Sequence, residues 1–150
     1  MKYSDNACSL FASGYNCAQA TVAAFADALS IDKSNLLKLS AGFGAGTSGL
    51  REQCGAVSAM IIVAGLAFGQ YDANDNDKKK EMYNTVKSMI AKFRDRYETT
   101  TCKELLAKVA IIAKSDPSPR TQEYYKARPC IKFVETASQI ICETFPDKFN

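Results

Sequence analysis

The sequence predicts an all-α fold: one domain over residues 1–150, built as a bundle of about five to seven helices around a buried central helix that starts near Cys54. Three observations predict it. Apolar residues recur at three- and four-residue steps in several segments, which is the period of a helix. No segment of useful length alternates as a half-buried strand would. The 150 residues, 47% of them hydrophobic, suffice for one sizeable core, and no low-complexity linker divides them.

The first half of the chain contains three predicted helices. Apolar residues at helical spacing run from Phe11 to Leu29 and indicate the first. A short second helix begins at Asp32 or Lys33, because Asp32 is a suitable N-cap. After a glycine-rich connection, residues 52–69 form the third. That segment is apolar nearly all round, so we expect it at the centre of the fold.

The second half contains three more. Residues 74–98 place apolar side chains along one stripe, which predicts a long amphipathic helix. Thr101 stands three residues before Glu104, the spacing of a capping box, and predicts that the helix within 99–113 starts there. A proline-containing loop then leads to a last helix, over 128–145.

The composition excludes several function classes. Without His, the chain lacks the commonest general base, the commonest metal ligand and every Ser-His or Cys-His nucleophile pair. It cannot attach a c-type haem, since that motif also needs His. The net charge is only +3, and the basic run 78–80 follows an acidic stretch, so we expect a solvated helix start and no nucleic-acid binding.

The terminal and apolar segments predict a cytoplasmic protein. The first ten residues lack the apolar run of a signal peptide, and the longest apolar run, residues 56–69, is too short to span a bilayer. In the cytoplasm, six cysteines point to metal or redox chemistry more than to structural disulfides. The amphipathic and apolar helices offer faces for a homodimer, and a redox protein would act with an electron partner.

The stretch GAGTSGLREQCGA, which begins at Gly44, has the glycine spacing of a dinucleotide-binding loop. Such a loop follows a β-strand, but the preceding segment here looks helical, so the motif is weak evidence for a nucleotide. Three other interpretations stay open. Loop amides assisted by Arg51 suit an anion, glycines let two helices pass closely, and the loop stands beside Cys54.

Three of the six cysteines lie at predicted helix starts: Cys54, Cys102 and Cys130. The partial positive charge and unpaired amides of a helix start favour thiolate over thiol, so we expect reactivity and metal affinity there. Cys17 lies inside the first predicted helix. No Cys-x-x-Cys pair occurs, so neither a zinc ribbon nor a ferredoxin pattern is matched. Small apolar residues at tight helix contacts are an equally open interpretation.

Five stretches of the chain resemble the family named for its C-GCAxxG-C-C cysteine pattern. They are GYNCAQA (14–20), AGFGAG (41–46), REQCGAVSA (51–59), TTCKELL (100–106) and RPCIKFVETA (128–137). The resemblance covers nearly the whole chain and implies that the family's four cysteines are Cys17, Cys54, Cys102 and Cys130. The family's CGAxxG element ends here in Ala59, which adds one methyl group at a close contact.

This resemblance implies a redox-active or electron-transfer protein. Similarity to split-Soret cytochromes implies an iron–sulfur centre, most simply of the two-iron, two-sulfur type, whereas their haem cannot carry over to a chain without His. The four family cysteines are then candidate catalytic residues and metal ligands, and the candidate cofactor-binding residues are Gly44, Gly46, Arg51 and Gly55.

Other interpretations remain beside the cluster. One is metal-free thiol–disulfide chemistry with Cys54 as the favoured nucleophile. Another is a binding module that holds zinc, copper or a small ligand, and a third is an inert bundle. Cys8 and Cys142 are interpreted as ordinary half-buried cysteines.

Overall fold

A computed structural model of the chain describes residues 2–109, 111 and 115–150. In these residues the protein is all-α, and the only extended pairing among them is one isolated bridge. A 3₁₀ turn over Ala41–Phe43 joins two of the helices. The helices are α1 (Lys2–Ala12), α2 (Cys17–Ala23), α3 (Ala26–Leu29), α4 (Lys33–Ser40), α5 (Gly44–Thr47), α6 (Gly55–Phe68), α7 (Asn76–Tyr97), α8 (Cys102–Ala107), α9 (Gln122–Ala127) and α10 (Cys130–Thr144).

Helix α6 is the centre of the fold, as its all-round apolar sequence predicts. Its first two turns, from Gly55 to Met60, are buried throughout. It packs against α2, α10 and α7, while α1 covers α10 and α2 on the outer side. Alanines on α2 such as Ala18 and Ala20 are fully buried, and their small side chains let the neighbouring backbones approach closely.

The prediction of one continuous helix from Phe11 to Leu29 is wrong, because these residues belong to separate helices. The chain leaves α1 after Ala12, and Gly14 has a φ of +113°, which no helical residue adopts. Asn16 then caps a new helix, so Cys17 is the first residue of α2 rather than an interior residue. Apolar periodicity continues across the break because both helices contribute apolar residues to the same core cluster.

Other helix ends agree more closely with the sequence. Asp32 caps α4, with its side chain accepting a 2.7 Å hydrogen bond from the Ser34 amide. Thr101 is the N-cap of α8, but the capping box is wrong, because its side chain makes no cap hydrogen bond and Thr99 contacts Glu104 instead, at 3.1 Å.

The remaining differences concern short elements. Six helices of the described chain have seven or more residues, in line with the expected five to seven, and the others are single turns or little more. Helix α9 lies in a segment for which the sequence predicted no element. Residues 110 and 112–114, part of the helix predicted over 99–113, lie outside the described residues. Every helix within the described ranges is too short or too polar to cross a membrane.

Candidate functional site

The four cysteines predicted as the site line one cavity of about 490 Å³. Each lies at a helix start: Cys17, Cys102 and Cys130 are the first residues of α2, α8 and α10, and Cys54 is the N-cap of α6. Cys54 is buried and the other three are half-buried. Four segments that are distant in the chain therefore direct their helix starts towards one space.

Asn16 places Cys17 at the cavity. Its side-chain oxygen accepts a hydrogen bond from the Gln19 amide at 2.9 Å, and the Gln19 side chain accepts one from the Asn16 amide at 3.2 Å, which completes a capping box. The Asn16 side chain also donates to the Ala41 carbonyl at 3.0 Å. A Cβ on Gly44 would lie 2.4 Å from Asn16, so Gly44 supports the site by packing against this cap.

The isolated bridge brings Cys54 and Cys102 together. It pairs Gln53 with Thr101 in antiparallel fashion, and each of these residues directly precedes a cavity cysteine. The Cys54 amide donates to the Thr100 carbonyl at 2.8 Å, and the Cys102 amide donates back to Glu52. One short backbone pairing, which no alternating pattern revealed, therefore fixes two of the four cysteines.

Two of the candidate glycines contact the cysteines directly. A Cβ on Gly55 would lie 2.4 Å from the Cys17 sulfur, so that sulfur rests against the first turn of α6. Gly46 has a φ of +63°, and a Cβ there would lie 2.6 Å from both the Cys102 Cβ and the Arg51 Cα. The glycines of this stretch thus serve close approach around the cysteines.

Three arginines line the same cavity: Arg51, Arg120 and Arg128. The Arg51 side chain is buried, and its Nη1 donates to the Cys102 sulfur at 3.7 Å. Of the three, only Arg51 was predicted from the sequence as a site residue. Arg120 belongs to the proline-containing loop, and nothing in the sequence marked it. Arg128 stands two residues before Cys130, and this closeness along the chain is the one feature that could have marked it as a site residue.

Burial outweighs the helix-start effect on these thiols. Burial raises the pKa of Cys130 to about 12, with further increases from Cys17 and Cys102. It holds the pKa of Cys54 well above its usual value, with the Cys17 charge as the next cause, although the Val57 amide favours the thiolate. The expectation that helix starts make these two cysteines readily ionised is therefore wrong for the protein without a bound metal.

Burial also raises the pKa of Cys17, while the Ala45 amide, hydrogen-bonded to the sulfur, opposes that increase. The Cys102 charge raises it further and the Arg120 guanidinium lowers it. The thiols therefore feel one another's charge across the cavity. Ionising several of them requires compensating positive charge.

The described residues contain no preformed site for a single metal ion. Within residues 2–109, 111 and 115–150, no three Cys, Asp or Glu side chains are placed to hold one metal ion. Zinc bound by four cysteines needs every sulfur about 2.3 Å from the ion. The arrangement thus gives no support to the zinc or copper interpretation.

The other two cysteines lie away from this site. Cys8 is half-buried in α1, and its thiol contacts the Ile131 carbonyl at 3.9 Å. Cys142 is buried within α10. Neither is among the described residues that line the cavity.

A protein-family model matches residues 15–144, and its description is "Putative redox-active protein (C_GCAxxG_C_C)". The chain belongs to this family. The matched range spans all four cysteines that line the cavity. The comparisons with curated proteins and with solved structures return no match.

Proposed function

We propose that this member of the C_GCAxxG_C_C family is an electron-transfer protein whose four cavity cysteines hold an iron–sulfur cluster, of the two-iron, two-sulfur type. The observation that carries the proposal is the convergence of Cys17, Cys54, Cys102 and Cys130 on one cavity. Such a cluster, when bound, supplies reversible one-electron transfer.

The donor set fits this group. Four thiols line the cavity, and none of the described lining residues is acidic, so sulfur is the dominant ligand type available. Cysteine thiolates are the usual ligands of iron–sulfur clusters.

The charges around the cavity also support the proposal. Burial and mutual repulsion keep Cys54 and Cys130 protonated at neutral pH, since both have a raised pKa. A coordinating metal deprotonates thiols outright. Arg120 and Arg128 both act on Cys130 with charges that favour its thiolate, so the protein contributes part of the compensation.

The test is anaerobic purification followed by iron and acid-labile sulfide analysis. We expect about two iron and two sulfide per chain, with the visible absorption and the reduced-state electron paramagnetic resonance signal of such a cluster. A colourless protein that lacks iron and sulfide even after reconstitution would overturn the proposal.

A second candidate function is metal-free thiol–disulfide exchange, favoured by the contact between Arg51 and Cys102. In this version Cys102 replaces Cys54 as the nucleophile, because Cys54 is buried and its pKa is raised well above the usual value. Two cavity thiols would become one disulfide, and their two electrons and two protons would reduce a disulfide of the acceptor protein to two thiols.

Alkylation of the reduced, metal-free protein tests this ranking. We expect iodoacetamide to modify Cys102 first, and Cys130 to stay largely unmodified until the pH approaches its pKa of about 12, since only the thiolate reacts. Peptide mass spectrometry across a pH series measures both. Fastest modification at Cys54, or no disulfide after mild oxidation, would count against this candidate.

A further inference from the structure

We infer that the cavity also contains a subsite for the oxyanion group of a small ligand, a carboxylate or a phosphoryl group, formed by Arg120 and Arg128. The subsite would place the ligand beside Cys17 and Cys130. This subsite would bind a small anion in the cavity that the four cysteines also line. Anion binding there does not require a bound cluster.

The cavity is one-sided in charge. Three arginines line it, and its described lining residues include no Asp or Glu. Guanidinium groups taken out of water are stabilised by an anion or by hydrogen-bond acceptors. The lining therefore favours an anionic guest.

Arg120 provides the most specific observation. Its Nη1 is buried and has no hydrogen-bond partner among the described residues. The guanidinium carbon lies 4.7 Å from the centre of the Tyr124 ring and 4.9 Å from that of Phe11. Aromatic contacts of this kind hold the guanidinium group in place, but they do not satisfy its N–H donors. The buried Nη1 is therefore available to donate a hydrogen bond to an acceptor on a ligand.

Arg128 stands on the same tyrosine. Its guanidinium carbon lies 4.6 Å from the Tyr124 ring centre, and its Nη2 donates to the Ser118 hydroxyl at 3.4 Å. Both guanidinium groups therefore lie against one ring, and an anion near that ring is attracted by two positive charges. The planar fork of a guanidinium matches carboxylate and phosphoryl oxygens, which can accept two parallel hydrogen bonds.

The loop that carries Arg120 is held close to the glycine-rich stretch. A Cβ on Gly49 would lie 2.0 Å from the Ser115 carbonyl oxygen, so the backbones touch at a position that only glycine permits. Gly49 also has a φ of +86°. Arg120 lines the same cavity as Cys17 and Cys130, so an anion bound there shares that cavity with the cysteines.

The experiment is isothermal titration calorimetry of the reduced protein, anaerobic, with inorganic phosphate in one arm and benzoate in the other. We expect saturable binding in at least one arm. Tighter phosphate indicates a phosphoryl ligand, and tighter benzoate indicates a carboxylate whose apolar body contacts Phe11 and Tyr124. Arg120→Gln is expected to weaken binding about tenfold or more.

Two further variants make the result specific. Arg94→Gln removes the same charge from the exposed side of α7 and should leave binding unchanged. Arg128→Lys keeps the charge but loses the fork and should weaken binding less than Arg120→Gln does; it also serves if Arg120→Gln fails to fold. Absence of saturable binding in both arms overturns the inference. Binding equal to that of wild type by correctly folded Arg120→Gln and Arg128→Lys proteins overturns it as well.

Titrating the protein with and without reconstituted iron and sulfide separates this inference from the proposed function. We expect anion binding in both preparations. Anion binding by a chain that takes up no iron would support the subsite and contradict the proposed cluster. A loaded cluster without any anion binding would overturn the subsite alone.

Discussion

Cys54→Ser is expected to reduce bound iron and sulfide from about two each per chain to near zero, because it removes one of the four thiolates and a hard hydroxyl oxygen is a much weaker ligand for the cluster. The fold should survive the change. Cys54 is the N-cap of α6 and makes no side-chain cap hydrogen bond, and serine is among the best N-cap residues. Loss of the cluster, with a thermal midpoint unchanged or slightly higher when the metal-free variant is compared with metal-free wild type, is therefore the expected combination.

Cys8→Ser is the matched control, because Cys8 is half-buried and does not line the cavity. This variant should retain full iron and sulfide. Metal analysis and the absorption spectrum of the anaerobically reconstituted proteins measure the difference. If Cys54→Ser binds as much iron as wild type, the cysteine quartet is not the ligand set and the electron-transfer proposal fails.

The fold class was predictable from local patterns, and the grouping of the four cysteines was predictable from the family resemblance. The all-round apolar segment after Cys54 could only be buried, and it forms the central helix α6. The family resemblance selected the four cysteines, and the fold brings all four to one cavity. These are the parts for which short-range sequence and motif order carry enough information.

The connections were less predictable, for identifiable physical reasons. The apolar period runs on from α1 into α2, because both helices contribute to one core, and it therefore predicted a single helix. Only the cap at Asn16 and the positive φ of Gly14 mark the boundary between the two. The bridge between Gln53 and Thr101 is one residue pair long, so it leaves no alternating pattern. Arg120 reaches the cavity through tertiary packing of its loop, which spacing along the chain does not reveal.

The electrostatic expectation failed for a related reason. Helix position was visible in the sequence, but the depth of burial was not, and burial is the largest cause of the raised pKa at Cys17, Cys54 and Cys130. Amide hydrogen bonds act in the opposite direction with a smaller effect. Cys17, Cys54 and Cys130 would thus be poor free nucleophiles, whereas a coordinating metal would remove the protons that burial retains.

Gly55→Ala is expected to lower the free energy of unfolding by about 1–3 kcal/mol, the usual cost of forcing an extra methyl group into a filled space. The new Cβ would lie 2.4 Å from the Cys17 sulfur, 3.0 Å from the Phe43 carbonyl oxygen and 3.2 Å from the Ala18 amide nitrogen. Two of these neighbours are backbone atoms, which cannot move aside as a flexible side chain does. The displaced Cys17 should also lower the iron content.

Gly65→Ala is the control within the same helix. A Cβ there would meet only the Met82 methyl group, at 3.9 Å, so the variant should gain about 0.5–1 kcal/mol from the better helix propensity of alanine. Urea unfolding of both metal-free variants gives the comparison. Equal stability of the two variants would mean that the Cys17 sulfur does not contact Gly55. The close approach of α2 to the start of α6 would then not be the reason for glycine at position 55.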